Sequence, residues 1–379
     1  MSDSDIPAAD ITPGCPHPRL ATTLYGQQAA EAAFLDSWRA GRLHHAWLLT
    51  GAKGIGKATL AYRLARALIA DSLPPVDLAT PPDCPVARRI AAGSEPRLRV
   101  LTRIPDPKIK NPTRNRTVIA VDQARDLGGF FALSIPDGGR RVAIVDAIDE
   151  ANPQTANALL KILEEPPADT VFLLICHGLS GVLPTIRSRC RRLDLAPLGP
   201  ADLAAALSGA GLVVPDQAAD ALAALAGGSA SAAARLLASE GIALYDRLCA
   251  LLAPTGTTVD RARLMALAES AAGRAAEERY ALILDLGLLL ATRLARAAAG
   301  LPTPPATEAE GRLTQAARAQ GRLAALTWAE AAEDMATRAA TARAGNLDPA
   351  RTVIDTWLTL SDRLAALEQG MGLGHPTPA

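Results

Sequence analysis

The chain has 379 residues, which at roughly 150 residues per domain predicts two or three domains and excludes one small domain. Its 39 Lys and Arg residues balance 39 Asp and Glu residues, so no overall charge draws the protein to nucleic acid or an anionic membrane. The apolar fraction of 49% is typical of a globular protein, and no stretch approaches the roughly 18 consecutive apolar residues that cross a bilayer. We expect a soluble protein with no membrane partner, whose contacts with DNA are local.

The N-terminal segment and the cysteines indicate the compartment. Residues 1–19 lack the basic and then apolar order of a secretory signal, so we expect a flexible tail and a cytoplasmic protein. The five cysteines are odd in number and scattered, without a C-x-x-C pair. This spacing predicts neither disulfides nor a bound metal.

Four apolar runs in the first half of the chain predict buried parallel strands. They are residues 45–50, 98–101, 141–145 and 170–176, and helix-length segments separate them. Strands that alternate with helices form right-handed crossovers in a doubly wound sheet. The predicted fold class is therefore a doubly wound α/β domain with a parallel sheet.

One helix has explicit start and stop signals. Asn152 suits the N-cap and Pro153 the first helical position. Apolar residues then recur with helical spacing until Pro166 and Pro167 end the run. We predict a helix between these two signals.

The composition changes near residue 200, where Ala-rich and Leu-rich helical spacing replaces the alternating pattern. Gly227 and Gly228 close one helical cluster, and Pro302–Pro305 interrupts a longer helical region. We therefore predict a tail at residues 1–19, an α/β domain at 20–195, a small helical unit at 196–241 and an all-α unit at 242–379.

The most specific motif is a glycine-rich turn, Gly51-Ala-Lys-Gly-Ile-Gly-Lys-Ala-Thr59, which leaves an apolar strand and enters a helix. Glycines let backbone N–H groups wrap a phosphate, and Lys57 can reach the β- and γ-phosphates. A P-loop places Ser or Thr directly after this Lys to hold Mg²⁺, whereas here Ala58 precedes Thr59. We expect a degenerate nucleotide site, with weak binding of ATP or ADP and a role for Mg²⁺ left open. Its residues are Gly51, Gly54, Gly56, Lys57, Ala58, Thr59 and Asp146.

Asp146 is included among the nucleotide-site residues because it follows an apolar run that resembles a Walker B strand. The carboxylate at the end of such a strand would hold the water shell of Mg²⁺. The next residue should be a Glu that polarises the attacking water, and here it is Ala147. Asp149 and Glu150 would replace that base only if the turn redirected them. Charged residues ahead of the next helix are the simpler interpretation.

These elements, together with Thr185-Ile-Arg-Ser-Arg-Cys190, carry a resemblance to a known family. The segments Leu43–Gly51, Asn157–Pro167 and Ser188–Cys190 resemble the delta-prime subunits of the bacterial DNA polymerase III clamp loader, which belong to the AAA+ superfamily. The resemblance covers most of residues 20–240 and is weaker beyond about 245. It implies an AAA+ domain, then a helical lid and an all-α collar domain that mediates oligomerisation.

In that family the Ser-Arg-Cys motif presents an arginine to the ATP of a neighbouring motor subunit, so the resemblance implies that Arg189 is catalytic in trans. A guanidinium offers planar donors to a γ-phosphoryl group whose charge is spread over its oxygens. Arg187 is the second candidate. The alternative interpretation is a solvated basic run that follows a strand.

Other positions of the family pattern are also changed. The sensor 1 position, which offers a hydroxyl or amide to the γ-phosphate, falls at Cys176 or His177. Motor subunits have a sensor 2 arginine where this chain has Ser231, and Arg235 lies one helical turn further on. Related subunits carry a four-cysteine zinc module where this chain keeps only Cys84, so the resemblance implies no zinc.

The combined expectation is a non-motor (stator) subunit of the clamp loader, with weak ATPase activity or none alone, in a DNA-directed DNA polymerase holoenzyme. The implied partners are the delta and gamma/tau subunits and, through the complex, the sliding clamp and primer-template DNA at a nucleoid-associated replisome. One alternative is an active motor of the gamma/tau type that uses Thr59 and Glu150 in non-standard roles. Another is an unrelated P-loop nucleotide-binding protein.

Overall fold

The computed structural model describes residues 11–70, 75–106, 108–109, 115–132, 139–252, 259–273, 276–345 and 347–372. The chain divides into two compact units, each described by itself below. The first is Met1–Val214 with Gly227–Ala234, and the second is Pro215–Ala226 with Arg235–Ala379. The finer division expected from the sequence stays a prediction.

A five-stranded parallel sheet with the order β2-β3-β4-β1-β5 forms the centre of the first unit. Four of its strands were predicted as apolar runs. The edge strand β5 was not, because only Leu193 of its four residues is buried and its sequence is mostly charged. The strands are β1 Ala46–Thr50, β2 Leu98–Thr102, β3 Arg141–Asp146, β4 Thr170–Cys176 and β5 Arg191–Asp194.

Helices cover both faces of this sheet. Alternate residues of each buried strand point to opposite sides, so both faces carry apolar side chains that must be covered. Trp47 and Leu49 pack with α1, α2 and α3, whereas Leu48 packs with α4, α5 and α6. This three-layer arrangement, a parallel sheet between two layers of helices, is the α/β fold that the sequence predicts. The helices are α1 Gln28–Arg39, α2 Lys57–Ala70, α3 Pro85–Ala92, α4 Val121–Ala132, α5 Pro153–Glu164, α6 Pro184–Arg187 and α7 Pro200–Gly209.

The strand register brings the candidate residues to one edge of the sheet. Thr50, the last residue of β1, lies opposite Cys176 of β4, and Asp146 at the end of β3 lies opposite Ile175. Ligands of doubly wound folds bind in the crevice at these carboxyl ends. The loop that follows β1 therefore begins where a phosphate site is expected.

Helix α5 begins and ends as its sequence predicts. The side chain of Asn152 accepts a hydrogen bond of 2.7 Å from the backbone N–H of Thr155, and Pro153 holds the first helical position. The helix buries Leu159 and Leu163 and ends at Glu164. Because Leu163 is buried, the C-terminus of the helix is fixed to the core one residue before Glu164.

After β5, the described chain forms helices. Pro302–Pro305 separates α12 from α13, as predicted, and α13 bends at Gly321, whose φ is 67°. No helix in the described ranges has both the length and the apolarity that spanning a membrane requires. The helices are α8 Ala219–Ala226, α9 Ala230–Ala238, α10 Gly241–Cys249, α11 Arg261–Ser270, α12 Glu277–Ala298, α13 Glu308–Gly345 and α14 Pro349–Gly372.

A buried ion pair organises the helical unit. Nε of Arg293 on α12 lies 2.6 Å from the carboxylate of Glu310 on α13, and their side chains are 10% and 0% exposed. Arg293 also donates 3.0 Å to the carbonyl of Ala224 on α8. One guanidinium thus joins three helices, which satisfies a charge that burial would otherwise penalise.

Candidate functional site

The phosphate loop joins β1 to α2 and depends on its three glycines. Their φ angles are +140° at Gly51, +80° at Gly54 and +102° at Gly56, a region that favours glycine. A Cβ on Gly51 would also lie 2.7 Å from the carbonyl oxygen of Leu195. The predicted glycines are therefore required by the path of this loop.

Lys57, the first residue of α2, is only 3% exposed. Its Nζ donates 2.6 Å to the carbonyl of Gly51 and also binds the carbonyl of Ala52. Burial lowers the pKa of this amine to about 8, although the charges of Asp146 and Asp149 oppose the shift. The lysine therefore lies beside the Walker B carboxylate, with its hydrogen bonds directed into its own loop.

The position after the lysine supplies no metal ligand. Ala58 packs against the core with a methyl group, and Thr59 lies about 100° further around the helix. Mg²⁺ prefers oxygen ligands. Among the predicted site residues, only Asp146 has a carboxylate that could serve as one. Among the described residues, no three His, Cys, Asp or Glu side chains are grouped as a metal site requires.

The sensor 2 segment packs directly on the phosphate loop. Ser229 Oγ donates 2.8 Å to the carbonyl of Lys53, and the N–H of Ser231 donates 3.3 Å to the carbonyl of Gly54. A Cβ on Gly54 would lie 2.4 Å from Ser229 Oγ. Thr12 from the N-terminal segment donates 2.8 Å to Ser231 Oγ. Small side chains therefore close over the loop where a motor subunit has a sensor 2 arginine.

Arg235, which lies one helical turn after Ser231 in the sequence, forms an ion pair within the helical unit. Its Nη2 lies 2.9 Å from the carboxylate of Asp285 on α12. Both side chains are partly exposed, at 46% and 38%. Arg235 therefore has an acidic partner of its own within the helical unit.

Two further polar residues were not singled out from the sequence: Gln27 supports the phosphate loop, and Arg66 holds the segment that precedes α1. Gln27, only 3% exposed, donates to the carbonyls of Ile55 and Ala196 at 3.0 and 2.8 Å. Arg66 of α2 donates to the carbonyls of Arg19 and Ala21. The residues in these contacts are far apart in the sequence, so no local sequence pattern could have indicated them.

The two carboxylates after the Walker B strand have structural partners. Asp149 accepts hydrogen bonds from the N–H groups of His177, at 3.0 Å, and Gly178, at 2.9 Å. Glu150 forms an ion pair of 2.8 Å with Arg103. Asp149 therefore holds the loop after β4, and Glu150 is paired with Arg103.

The sensor 1 position combines a buried thiol with a neutral imidazole. Burial and the charge of Asp149 raise the pKa of Cys176 to about 11. Burial, followed by the nearby charge of Lys57, lowers the pKa of His177 to about 4. Nδ1 of His177 has no hydrogen-bond partner among the described residues. At neutral pH this position offers a neutral ring and a protonated thiol.

The Ser-Arg-Cys segment follows α6, with Ser188 exposed and Arg189 and Cys190 partly buried. Ser188 Oγ donates 3.1 Å to the carbonyl of Thr185, and Cys190 packs against the core, where burial raises its pKa to about 12. Between them, Arg189 remains 35% exposed. Its Nη1 donates 2.9 Å to the carbonyl of Thr185, and its Nη2 lies 2.6 Å from the carboxylate of Glu164.

The neighbouring arginines differ from Arg189 in their contacts. Arg191 lies over the ring of Trp47, 5.1 Å from its centroid, and Arg192 forms a 2.6 Å ion pair with Asp194. Arg187 is exposed at the end of α6. Arg191 and Arg192 therefore lie on the edge strand β5 with partners of their own, whereas Arg187 and Arg189 precede that strand.

Sequence reasoning missed Glu164, although a signal was present. Glu164 and Glu165 end α5, where the free carbonyl groups of a helix favour cations and disfavour carboxylates. An acidic pair at that position indicates a cationic partner. The partner is Arg189, which the topology brings to the end of α5.

Known subunits of DNA polymerase III are similar to this chain in sequence. A family model described as DNA polymerase III, delta subunit, matches residues 26–199. The DNA polymerase III subunit delta' of Pseudomonas aeruginosa is 41% identical over 195 residues, which cover 51% of this chain and 55% of that protein. The subunit tau of Escherichia coli is 31% identical over 182 residues, which cover 48% of this chain and 26% of that one.

A solved structure is also similar, a gamma subunit-related protein of DNA polymerase III from Thermotoga maritima. It is 17% identical, with a TM-score of 0.34, over 89% of this chain and 99% of that one. The match to the Pseudomonas relative spans only about half of that protein's length. Residues 26–199 are therefore similar to the family of DNA polymerase III delta subunits, and delta-prime subunits are among the relatives of this chain.

Proposed function

We propose that the chain is a non-motor subunit of a DNA polymerase III clamp loader and donates Arg189 to the ATP site of a neighbouring motor subunit. The observation that carries this proposal is the placement of Arg189. Its guanidinium is partly exposed between two anchored neighbours, and only part of its hydrogen-bonding capacity is used by its own chain. A trans-acting arginine must be both accessible and fixed in orientation.

The phosphate loop supports the non-motor part of the proposal. Ala58 and Ala147 replace the magnesium ligand and the water-polarising base, and Lys57 binds the carbonyls of its own loop. Ser229 and Ser231 pack against that loop. Weak binding of ATP or ADP remains compatible with these residues, whereas efficient hydrolysis of the chain's own ATP is not.

The two alternatives receive less support. A motor of the gamma/tau type would need Asp149 or Glu150 as its base, and these carboxylates bind backbone N–H groups and Arg103. An unrelated P-loop protein would leave the match over residues 26–199 unexplained. We therefore place the chain with the delta and gamma/tau subunits, the sliding clamp and primer-template DNA in the cytoplasm.

Hydrolysis of ATP by the full chain, alone and mixed with motor subunits, clamp and primed DNA, tests the proposal. We expect negligible turnover alone. In the mixture, Arg189→Ala should slow hydrolysis at the neighbouring site by about 10³-fold, the lower value for a trans arginine. Arg192→Ala is the matched control, because it removes an exposed arginine that pairs with Asp194 instead.

Size-exclusion chromatography should show the same assembly for both variants. Two results would contradict the proposal. One is magnesium-dependent turnover by the chain alone, and the other is full activity of an assembly that contains Arg189→Ala.

A further inference from the structure

Helix α5 ends in a carboxylate that binds the proposed finger. Glu164 is the last residue of the helix, and its Oε1 lies 2.6 Å from Nη2 of Arg189. The free carbonyl groups at a helix C-terminus carry partial negative charge, so the helix end and the carboxylate attract the guanidinium together. The exposed fractions of the two side chains, 48% and 35%, keep this ion pair within reach of a partner.

We infer that Glu164 is a positioning residue, which holds the guanidinium of Arg189 in the orientation from which it meets a γ-phosphate on the neighbouring subunit. The inference rests on the proposed function, because it concerns the same arginine. It adds a residue outside the Ser-Arg-Cys motif, contributed by a different helix.

The geometry supports positioning because the guanidinium is held at two points. An arginine has five N–H donors in a rigid planar fork. Nη1 donates to the carbonyl of Thr185 and Nη2 to Glu164, and both acceptors belong to the chain itself. Two contacts define the plane of the fork, and three N–H groups lie outside these two bonds and can serve a phosphate.

Both acceptors are themselves fixed. Glu164 ends a helix that is anchored by buried Leu159 and Leu163. The carbonyl of Thr185 also accepts a hydrogen bond from Ser188. A long side chain that is ordered before assembly loses less conformational entropy when it meets its ligand, so its binding geometry is reached more often.

Glu165 provides a matched control. It has the same chemistry, is exposed, and adjoins Glu164 at the end of the same helix. Its side chain forms no ion pair with the described residues. A general effect of negative charge at this helix end would be shared by both glutamates, whereas positioning of Arg189 belongs to Glu164 alone.

The test measures ATP hydrolysis by the assembly of the full chain with motor subunits, clamp and primed DNA. We expect Glu164→Ala to lower kcat about tenfold while the KM for ATP stays within about twofold, because only the orientation of the finger changes. Glu164→Gln keeps the shape and one acceptor oxygen, so its loss should be smaller. Glu165→Ala should leave kcat within about twofold.

A second background shows whether Glu164 acts through the finger. With Arg189→Ala already present, Glu164→Ala should cause no further loss. An equal loss in both backgrounds would overturn the inference. So would full activity of both Glu164 variants beside a slow Arg189→Ala assembly. Full activity of Arg189→Ala itself would instead overturn the proposed function, so the two failures are distinguishable.

Discussion

The phosphate loop and the Ser188–Cys190 segment each carry a cationic side chain, but they hold it in opposite ways. Lys57 is 3% exposed and binds carbonyls of its own loop, whereas Arg189 is 35% exposed and is held through two of its five N–H donors. Lys57 must give up internal hydrogen bonds before it can bind a phosphate. The comparison shows how one fold can keep a phosphate loop as structure while a different segment offers its charge outward.

The largest effect on stability should come from Asp149, which secures the loop after β4. Asp149→Ala should lower the free energy of unfolding by about 2 kcal/mol, because the N–H groups of His177 and Gly178 lose their acceptor. Chemical denaturation of the two chains measures this difference.

The control is Glu150→Ala, which breaks the partly exposed ion pair with Arg103 and should cost less than about 1 kcal/mol. If Asp149→Ala were as stable as the parent chain, the structural role that we assign to this carboxylate would be wrong. Asp149 would then again be a candidate for the water-polarising base.

A pH series tests whether Lys57 is as buried as the comparison requires. Its pKa of about 8 lies below the ordinary 10.5, so the amine loses its charge as the pH rises through 8. ADP that binds through the charged amine should therefore bind about tenfold more weakly at pH 9 than at pH 7. The unfolded chain holds more protons between pH 8 and 10.5, so the same shift adds stability as the pH rises in that window.

Isothermal titration with ADP at the two pH values provides the measurement. Lys57→Arg is the control, because its guanidinium stays charged throughout and its affinity should change by less than about twofold. Equal affinity of the parent chain at pH 7 and pH 9 would show that Lys57 is not the titrating contact.

The smallest effect is expected from Ala58→Thr, which restores a hydroxyl at the usual magnesium position. Hydrolysis by the chain alone should rise by less than about twofold, since Ala147 still provides no base and Asp149 remains bound to the loop after β4. A malachite-green assay of released phosphate measures it. A strong gain of activity would show that the loop is one substitution away from a working motor.

Much of the fold could be predicted because its signals are local. The apolar runs gave four of the five strands, and Asn152 and Pro153 defined the start of α5, where the predicted cap is present. Strand β5 was missed because an edge strand is exposed on most of its residues, so its composition resembles a solvated basic run. Its place in the sheet depends on pairing with β1, which is a non-local contact.

The candidate site was predictable in its motifs and not in its contacts. The glycines, Lys57 and the changes at Ala58 and Ala147 can be identified from spacing alone. The packing of Ser229 and Ser231 on the phosphate loop joins segments about 175 residues apart in the chain. The pairing of Glu164 with Arg189 likewise depends on how α5 and α6 pack. The acidic C-terminus of α5 indicates a cationic partner but does not identify it.

Replacement of each cation in the same assembly distinguishes a donated arginine from a working phosphate loop. Single-turnover ATP hydrolysis would be measured with motor subunits, clamp and primed DNA, with the chain carrying Arg189→Ala or Lys57→Ala. We expect a loss of about 10³-fold at the neighbouring site for Arg189→Ala and less than about twofold for Lys57→Ala in correctly assembled complexes. A large loss with Lys57→Ala and none with Arg189→Ala would contradict this expectation and identify the chain as a motor.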